Sequence, residues 1–218
     1  MPPKEGAPNR RGRARREEIL DAATELFATR GYRGTGMLEL AKRVGMSHVG
    51  ILHHFGTKEN LLKAVVERRD KLHDALMADA QGGGPSARIL KDAMGTATFM
   101  EPEVLTRLGN VLRAENLSPG DPLHHYFDDR SQQVRLYLAK EIRSKQETGE
   151  YRSDVDPDAK ATEILAFTIG LETQWLLNKD AVDLEKVFAS FIRALLDDLT
   201  RADAPRCEQT QPEQRGVR

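Results

Sequence analysis

Two histidines stand side by side at His53 and His54, and Glu59 follows them in HHFGTKEN. Imidazole and carboxylate are metal ligands, and imidazole also hydrogen-bonds to base edges, so an ion, a nucleic acid and plain packing all compete for this stretch. Adjacent helical residues point about 100° apart and do not readily share one ion, and the His-Glu-x-x-His spacing is missing, so a metal is not expected. A second pair, His124 and His125 beside Tyr126, could contribute polar contacts or sit at the surface. With Glu163 and Glu172 it is the polar set open to a helical metal-binding or enzymatic bundle in the C-terminal part. No nucleophile with an adjacent base and no phosphate-binding loop accompanies it, so neither an enzyme nor a cofactor is expected. The single cysteine, Cys207, can form neither an internal disulfide nor a structural zinc site.

The elements that position His53 and His54 can be read from the surrounding pattern. A helix from about Arg15 carries Ile19, Leu20, Ala23, Leu26 and Phe27 on one face and ends at Gly31. Thr35 and Ser47 are start signals for two short helices, about 36–44 and 47–54. Thr57 then caps a long helix from Lys58 to about Ala80 that carries Leu61, Leu62, Val65 and Leu72. Helices of two turns are marginal alone in water, so neighbours must hold them. Met37, Leu40, Ala41 and Val44 supply one inward stripe, Met46 and Ile51 answer it, and Phe55 anchors the exit. A small residue at Ala41, a turn glycine at Gly45 and a branched apolar residue at Ile51 form the pattern of a helix-turn-helix, whose second helix lies in the DNA major groove.

Further helical patterns fit about 86–99, 102–116, 122–148, 157–178 and 183–201, after a break at Gly82-Gly83-Gly84-Pro85. Asp121-Pro122 reads as an N-cap with proline at the first helical position, and Gly149 closes the same segment. Strand-like alternation is absent, so the fold class is all-α. Residues 1–16 hold six basic residues against Glu5 and have the composition of a mobile arm. The expected division is a disordered basic arm over 1–13, a DNA-binding domain over 14–60, a helical domain over 61–201 and a disordered tail over 202–218. The net charge of -1 hides an asymmetry: 15 Lys/Arg against 9 Asp/Glu through Leu72, then 18 against 25. That suits a chain of which only the first part meets a polyanion. No apolar run is long enough for a membrane span and no signal-peptide core opens the chain, so a cytoplasmic protein is expected.

Residues 15–62, through ILDAATELFATRGYRGTGMLELAKRVGMSHVGILHHFGTKENLL, resemble the DNA-binding domain of the TetR family of bacterial transcriptional regulators. The order is helix, Gly-aromatic turn, Thr, short helix, Gly-x-Ser turn, recognition helix, His-Phe, and Thr-Lys opening a long helix. The chain departs at Leu52, where many members have a tyrosine that reaches a phosphate, and at Gly36, where a hydroxyl residue is common. Leu52 cannot donate that bond, whereas Gly36 still offers its N–H at a helix N-terminus.

Resemblance and residue chemistry together place Ser47, His48, Val49, Gly50 and His53 at base edges, with His54 packing or bonding a backbone group. Thr35, Gly36, Arg43 and Lys58 are expected at phosphates, and Arg10, Arg11, Arg13, Arg15 and Arg16 at phosphates or in a minor groove. Gly50 costs a helix interior about 1 kcal/mol against alanine, which implies either close approach to DNA or close packing on the first long helix.

The resemblance also implies a dimer and a ligand cavity. Apolar stripes on the last two helices, with Ile164, Leu171, Leu184, Val187, Phe188, Phe191 and Leu195, would pair with a second copy. Met94, Thr98, Phe99, Leu105, Leu108 and Leu112, faced by Phe167, Thr168, Gln174 and Trp175, would line the cavity, unless they are plain core. The expected function is a ligand-responsive homodimeric repressor on a pseudo-palindromic operator, its partners double-stranded DNA and an unknown small-molecule effector.

Overall fold

The computed structural model describes residues 7–79 and 102–200, and every regular element among them is an α-helix. These are α1 (Ala7–Gly34), α2 (Met37–Arg43), α3 (His48–Phe55), α4 (Lys58–Asp79), α5 (Glu103–Glu115), α6 (His124–Glu147), α7 (Pro157–Leu177) and α8 (Leu184–Thr200). Expected and observed ends agree to within two residues from α2 to α8, while the helix expected over 86–99 lies outside the described residues.

The largest difference is at α1, which starts at Ala7, well before Arg15. Composition marks the Arg-rich segment as unable to form a core, but a helix already nucleated at Ile19–Phe27 can extend through it, because its arginines are good helix formers, Pro8 falls in the first turn where its missing N–H costs nothing, and Gly12 takes back only about 1 kcal/mol. Arg15 pairs with Glu18 one turn on, and the Arg16 guanidinium lies 4.7 Å from the Phe55 ring centroid, which ties the segment to the exit of α3. Arg10, Arg11 and Arg13 therefore project from a helix.

Gly31 interrupts α1 with φ 73° and ψ 171°, a conformation suited to glycine. The Thr35 hydroxyl donates to the Gly31 carbonyl at 2.7 Å, so Thr35 serves this break, and Gly36 is the N-cap of α2 without any side-chain cap. Gly45, at φ 62°, makes the turn between α2 and α3 as expected. Ser47 caps α3 by accepting the Gly50 N–H at 3.0 Å, and Thr57 Oγ1 accepts the Asn60 N–H at 3.1 Å at the start of α4. Asp121 does not cap α6. Its carboxylate closes the preceding turn by accepting the Ser118 N–H at 2.9 Å, and α6 begins at His124. The cap of α7 is Asp156, with Pro157 at the first helical position.

Buried apolar residues fall into two clusters. The first joins Leu20, Phe27, Leu40, Ile51, Leu61 and Leu62 to Leu105, Leu108 and Leu112 of α5 and Phe127 of α6. The second joins Leu138 and Ile142 of α6 to Ala161 and Ile164 of α7 and Leu195 and Leu199 of α8. The core therefore continues across residue 60, where the sequence suggests a division, and parts within α6 instead. No helix among the described residues is long and apolar enough to cross a membrane.

Candidate nucleic-acid interface

The reverse face of α3 is fixed: Ile51 is fully buried and Phe55 is 7% exposed. Leu40 and Ala41 of α2 are buried against it, and the Met46 N–H closes the turn on the Ala41 carbonyl at 2.9 Å. With that face committed, Ser47, Val49 and His53 stand exposed on the other side and His48 and Gly50 are half-buried. Val49 is 74% exposed, and Leu38, Leu117 and Leu177 are about as open, but its place on α3 suits contact with a thymine methyl. No acidic residue occurs in HVGILHHF, so nothing on α3 repels a phosphate backbone. The His53 and His54 rings meet edge to face at 5.9 Å, with His53 exposed and His54 half-buried against Phe55.

A methyl group at Gly50 would stand 3.1 Å from Met46 Cε and 3.3 Å from Ser47 Oγ. The crowding comes from the turn and the cap, not from α1.

Several expected phosphate contacts are otherwise engaged. Thr35 is 2% exposed with its hydroxyl turned inward, which removes it from the interface. The Arg43 guanidinium pairs with Glu25 of α1 on an exposed flank. Lys58 Nζ donates to the Tyr32 carbonyl at 2.6 Å and lies 4.4 Å from the Tyr32 ring centroid. Burial lowers the Lys58 pKa from its ordinary value against the opposing pull of Glu59 and Glu115. Tyr32 itself is pushed up to about 12, first by burial and then by its hydrogen bond to Glu59. Arg10, Arg11 and Arg13 are exposed on the first turns of α1, and Gly36 is exposed at the N-terminus of α2.

Of the residues expected around a ligand, Met94, Thr98 and Phe99 lie outside the described residues. Leu105, Leu108 and Leu112 are core: at 7%, 0% and 1% exposure they belong to the cluster shared with α1. Phe167 stacks on Phe191 at 3.7 Å, and the Thr168 hydroxyl is bonded to the Ile164 carbonyl. Gln174 is exposed, and Trp175 is half-buried with Lys179 Nζ 5.7 Å from its ring centroid. Ile164, Leu171 and Leu195, expected between copies, are buried within the chain, because the inner edge of a wide apolar stripe is used by the helix's own neighbours. Leu184, Val187, Phe188 and Phe191 remain at least partly accessible.

The polar set of the alternative bundle is scattered. His124 Nδ1 lies 3.3 Å from the Asn116 carbonyl, Glu163 pairs with Lys160, and the buried Glu172 accepts from Asn110 at 3.0 Å. Sequence reasoning missed Glu115, which reaches Tyr32 from α5, and Asp121, which reaches Arg33; partners more than 80 residues away leave no local signal.

An exposed recognition helix on a buried two-helix support, with a basic helical extension beside it, defines a helix-turn-helix DNA-binding protein. The chain matches the family described as bacterial regulatory proteins, tetR family, over residues 19–65, and a BetI-type transcriptional repressor C-terminal family over residues 116–211. It is 40% identical over 145 residues to the HTH-type transcriptional repressor AcnR of Corynebacterium glutamicum, a match covering 64% of this chain and 70% of that one. To the HTH-type transcriptional regulator TtgR of Pseudomonas putida it is 27% identical over 208 residues, covering 88% and 94%. Its fold is shared with a transcriptional regulator from Saccharomonospora viridis solved in complex with choline, at TM-score 0.72 and 23% identity over 87% of this chain and all of that one. The chain belongs to the TetR family of bacterial transcriptional regulators. It is a DNA-binding regulator of transcription.

Proposed function

We propose that the protein is a homodimeric, effector-responsive repressor whose α3 helices read two half-sites of a pseudo-palindromic operator. The observation that carries this reading is the exposed face of α3, where Ser47 and His53 stand in solvent with Val49, itself 74% exposed. His48 joins them at base edges. Arg10, Arg11, Arg13 and the Gly36 N–H serve the phosphates. A single helix-turn-helix makes too few contacts to specify one site, and pairing two copies through α8 answers this. Val187, 38% exposed, and the half-buried Leu184 and Phe188 supply the apolar contact for that pairing.

The effector acts by preferring one of two separations of the recognition helices; a ligand with equal affinity for both would change nothing. The test is titration of the purified protein with the DNA flanking its own coding region, at two salt concentrations, beside random duplex of equal length. Tight and selective binding is expected. Weak binding with equal affinity for both duplexes refutes an operator there. Sedimentation of Val187→Asp should show monomers, and an intact dimer moves the pairing surface off this part of α8.

A further inference from the structure

Tyr32 lies in the last turn of α1, just past the break at Gly31, and its polar groups are answered from several directions. Its N–H donates to Glu115 Oε2 at 2.7 Å, and its hydroxyl donates to Glu59 Oε1 at 2.9 Å. Its carbonyl accepts from Lys58 Nζ at 2.6 Å. The next residue, Arg33, pairs with Asp121. Glu115 and Asp121 are both contributed by the C-terminal part of the chain, from the end of α5 and from the turn that follows it.

Neither is a loose surface carboxylate. A Cβ at Gly31 would fall 2.6 Å from Glu115 Cδ, so the carboxylate occupies room that glycine leaves open. The Asp121 side chain is 13% exposed, with one oxygen on the Ser118 N–H and the other on Arg33. Between them Asn116, 4% exposed, donates to the Leu112 carbonyl at 2.6 Å and accepts the Leu123 N–H at 2.8 Å. The connection from α5 to α6 is thus a fixed knuckle. Behind it, α5 packs on α1 through Leu105, Leu108 and Leu112.

We infer that Glu115 and Asp121 are positioning residues: they clamp the Gly31–Arg33 turn to the α5–α6 knuckle and thereby set how the helix-turn-helix stands on the C-terminal body. The route onward is short. Tyr32 holds Lys58, the first residue of α4, and Thr35, bonded to Gly31, leads directly into the N-cap of α2. A displacement of α5 would therefore reach α2 and α3 through the bonds that side chains make to the main chain at this turn, in parallel with any tilt of α4. Charge-assisted bonds of this kind are strong enough to hold a geometry, and few enough to be exchanged between two states. The inference deepens the function proposed above and rests on it.

The test uses the full chain carrying Glu115→Ala, with Glu115→Gln as the conservative variant that keeps an oxygen acceptor for the Tyr32 N–H. Amide hydrogen exchange followed by NMR should show the Tyr32 amide exchanging about tenfold faster or more in Glu115→Ala, with Glu115→Gln near the parent protein and the Leu108 amide still protected. Titration with the coding-region DNA should show Glu115→Ala binding about five- to tenfold more weakly, since a reader whose orientation is no longer fixed must be ordered on binding. Glu115→Gln should restore most of that loss. Unchanged Tyr32 exchange in Glu115→Ala overturns the clamp. Faster exchange with affinity within about twofold of the parent overturns its role in presenting the reader. Failure of the DNA-reading function is separate: there the parent itself would not distinguish operator from random duplex, while the exchange arm still decides whether the clamp holds the turn.

Discussion

Replacing Gly50 with alanine should leave the fold as stable as before or more stable, and should weaken operator binding. The site is in the first turn of α3, just after the Ser47 cap. Alanine removes a helix-propensity penalty of about 1 kcal/mol. Against this, the new methyl meets Met46 Cε at 3.1 Å and Ser47 Oγ at 3.3 Å. The first is the end of an unbranched thioether on a half-buried residue and can swing aside by a few tenths of an ångström. The second is the oxygen that accepts the Gly50 N–H at 3.0 Å, so the cap yields a little of its bond. The balance lies between about zero and 1 kcal/mol of added stability. If α3 lies in the groove as proposed, the methyl takes up room at that approach, and a loss of about tenfold in operator affinity, or about 1.4 kcal/mol, is expected. Urea unfolding at matched protein concentration gives the first quantity, read from midpoints at constant slope. Titration of operator and random duplex gives the second. A stability loss above about 1 kcal/mol with operator selectivity intact would refute the reasoning, for glycine would then be required by the turn and not by DNA.

Thr35→Val should cost about 1 kcal/mol of stability by leaving the Gly31 carbonyl without its donor, and should leave the salt dependence of DNA binding unchanged; a slope smaller by about one unit would return Thr35 to the phosphates. Because the Tyr32 pKa is raised from 10.0 to about 12, the unfolded chain loses that proton first, so stability falls as pH rises from about 10 through 12. Tyr32→Phe should lack this component in pH-dependent unfolding, and an unaltered alkaline fall would contradict it. Replacing Arg10 and Arg13 together with alanine should keep α1 helical by circular dichroism and flatten the salt slope by about two units; an unchanged slope means both are merely solvated.

The helices were legible mainly through their apolar stripes, and α3 and α4 also through the caps Ser47 and Thr57. The helix-turn-helix was legible because Ala41, Gly45 and Ile51 do their work within eleven residues of one another. What composition concealed was the extension of α1, since a charged segment unable to nucleate a helix can still continue one. Thr35 misled because a hydroxyl ahead of a helix looks like a cap, and only the break at Gly31 reveals a nearer carbonyl in need of a donor. Leu105, Leu108 and Leu112 misled in another way. Their stripe is real, but the surface that covers it is α1, far away in sequence, and periodicity does not say what faces a stripe. The same distance hid Glu115 and Asp121.

The continuous core from α1 to the first half of α6 bears on how such regulators can be recombined. A chimera cut at residue 60 would strip α1 of Leu105, Leu108 and Leu112 and leave Leu61 and Leu62 to face a foreign scaffold. A graft made inside α6, between Phe127 and Leu138, passes through the seam between the two clusters and carries the DNA reader together with its apolar core, though it parts Asn110 from Glu172 and Thr173 of α7 and Glu103 from Lys179. Among the described residues the apolar core therefore favours a join at that seam, where a new sensor would enter through a helix that both halves already share.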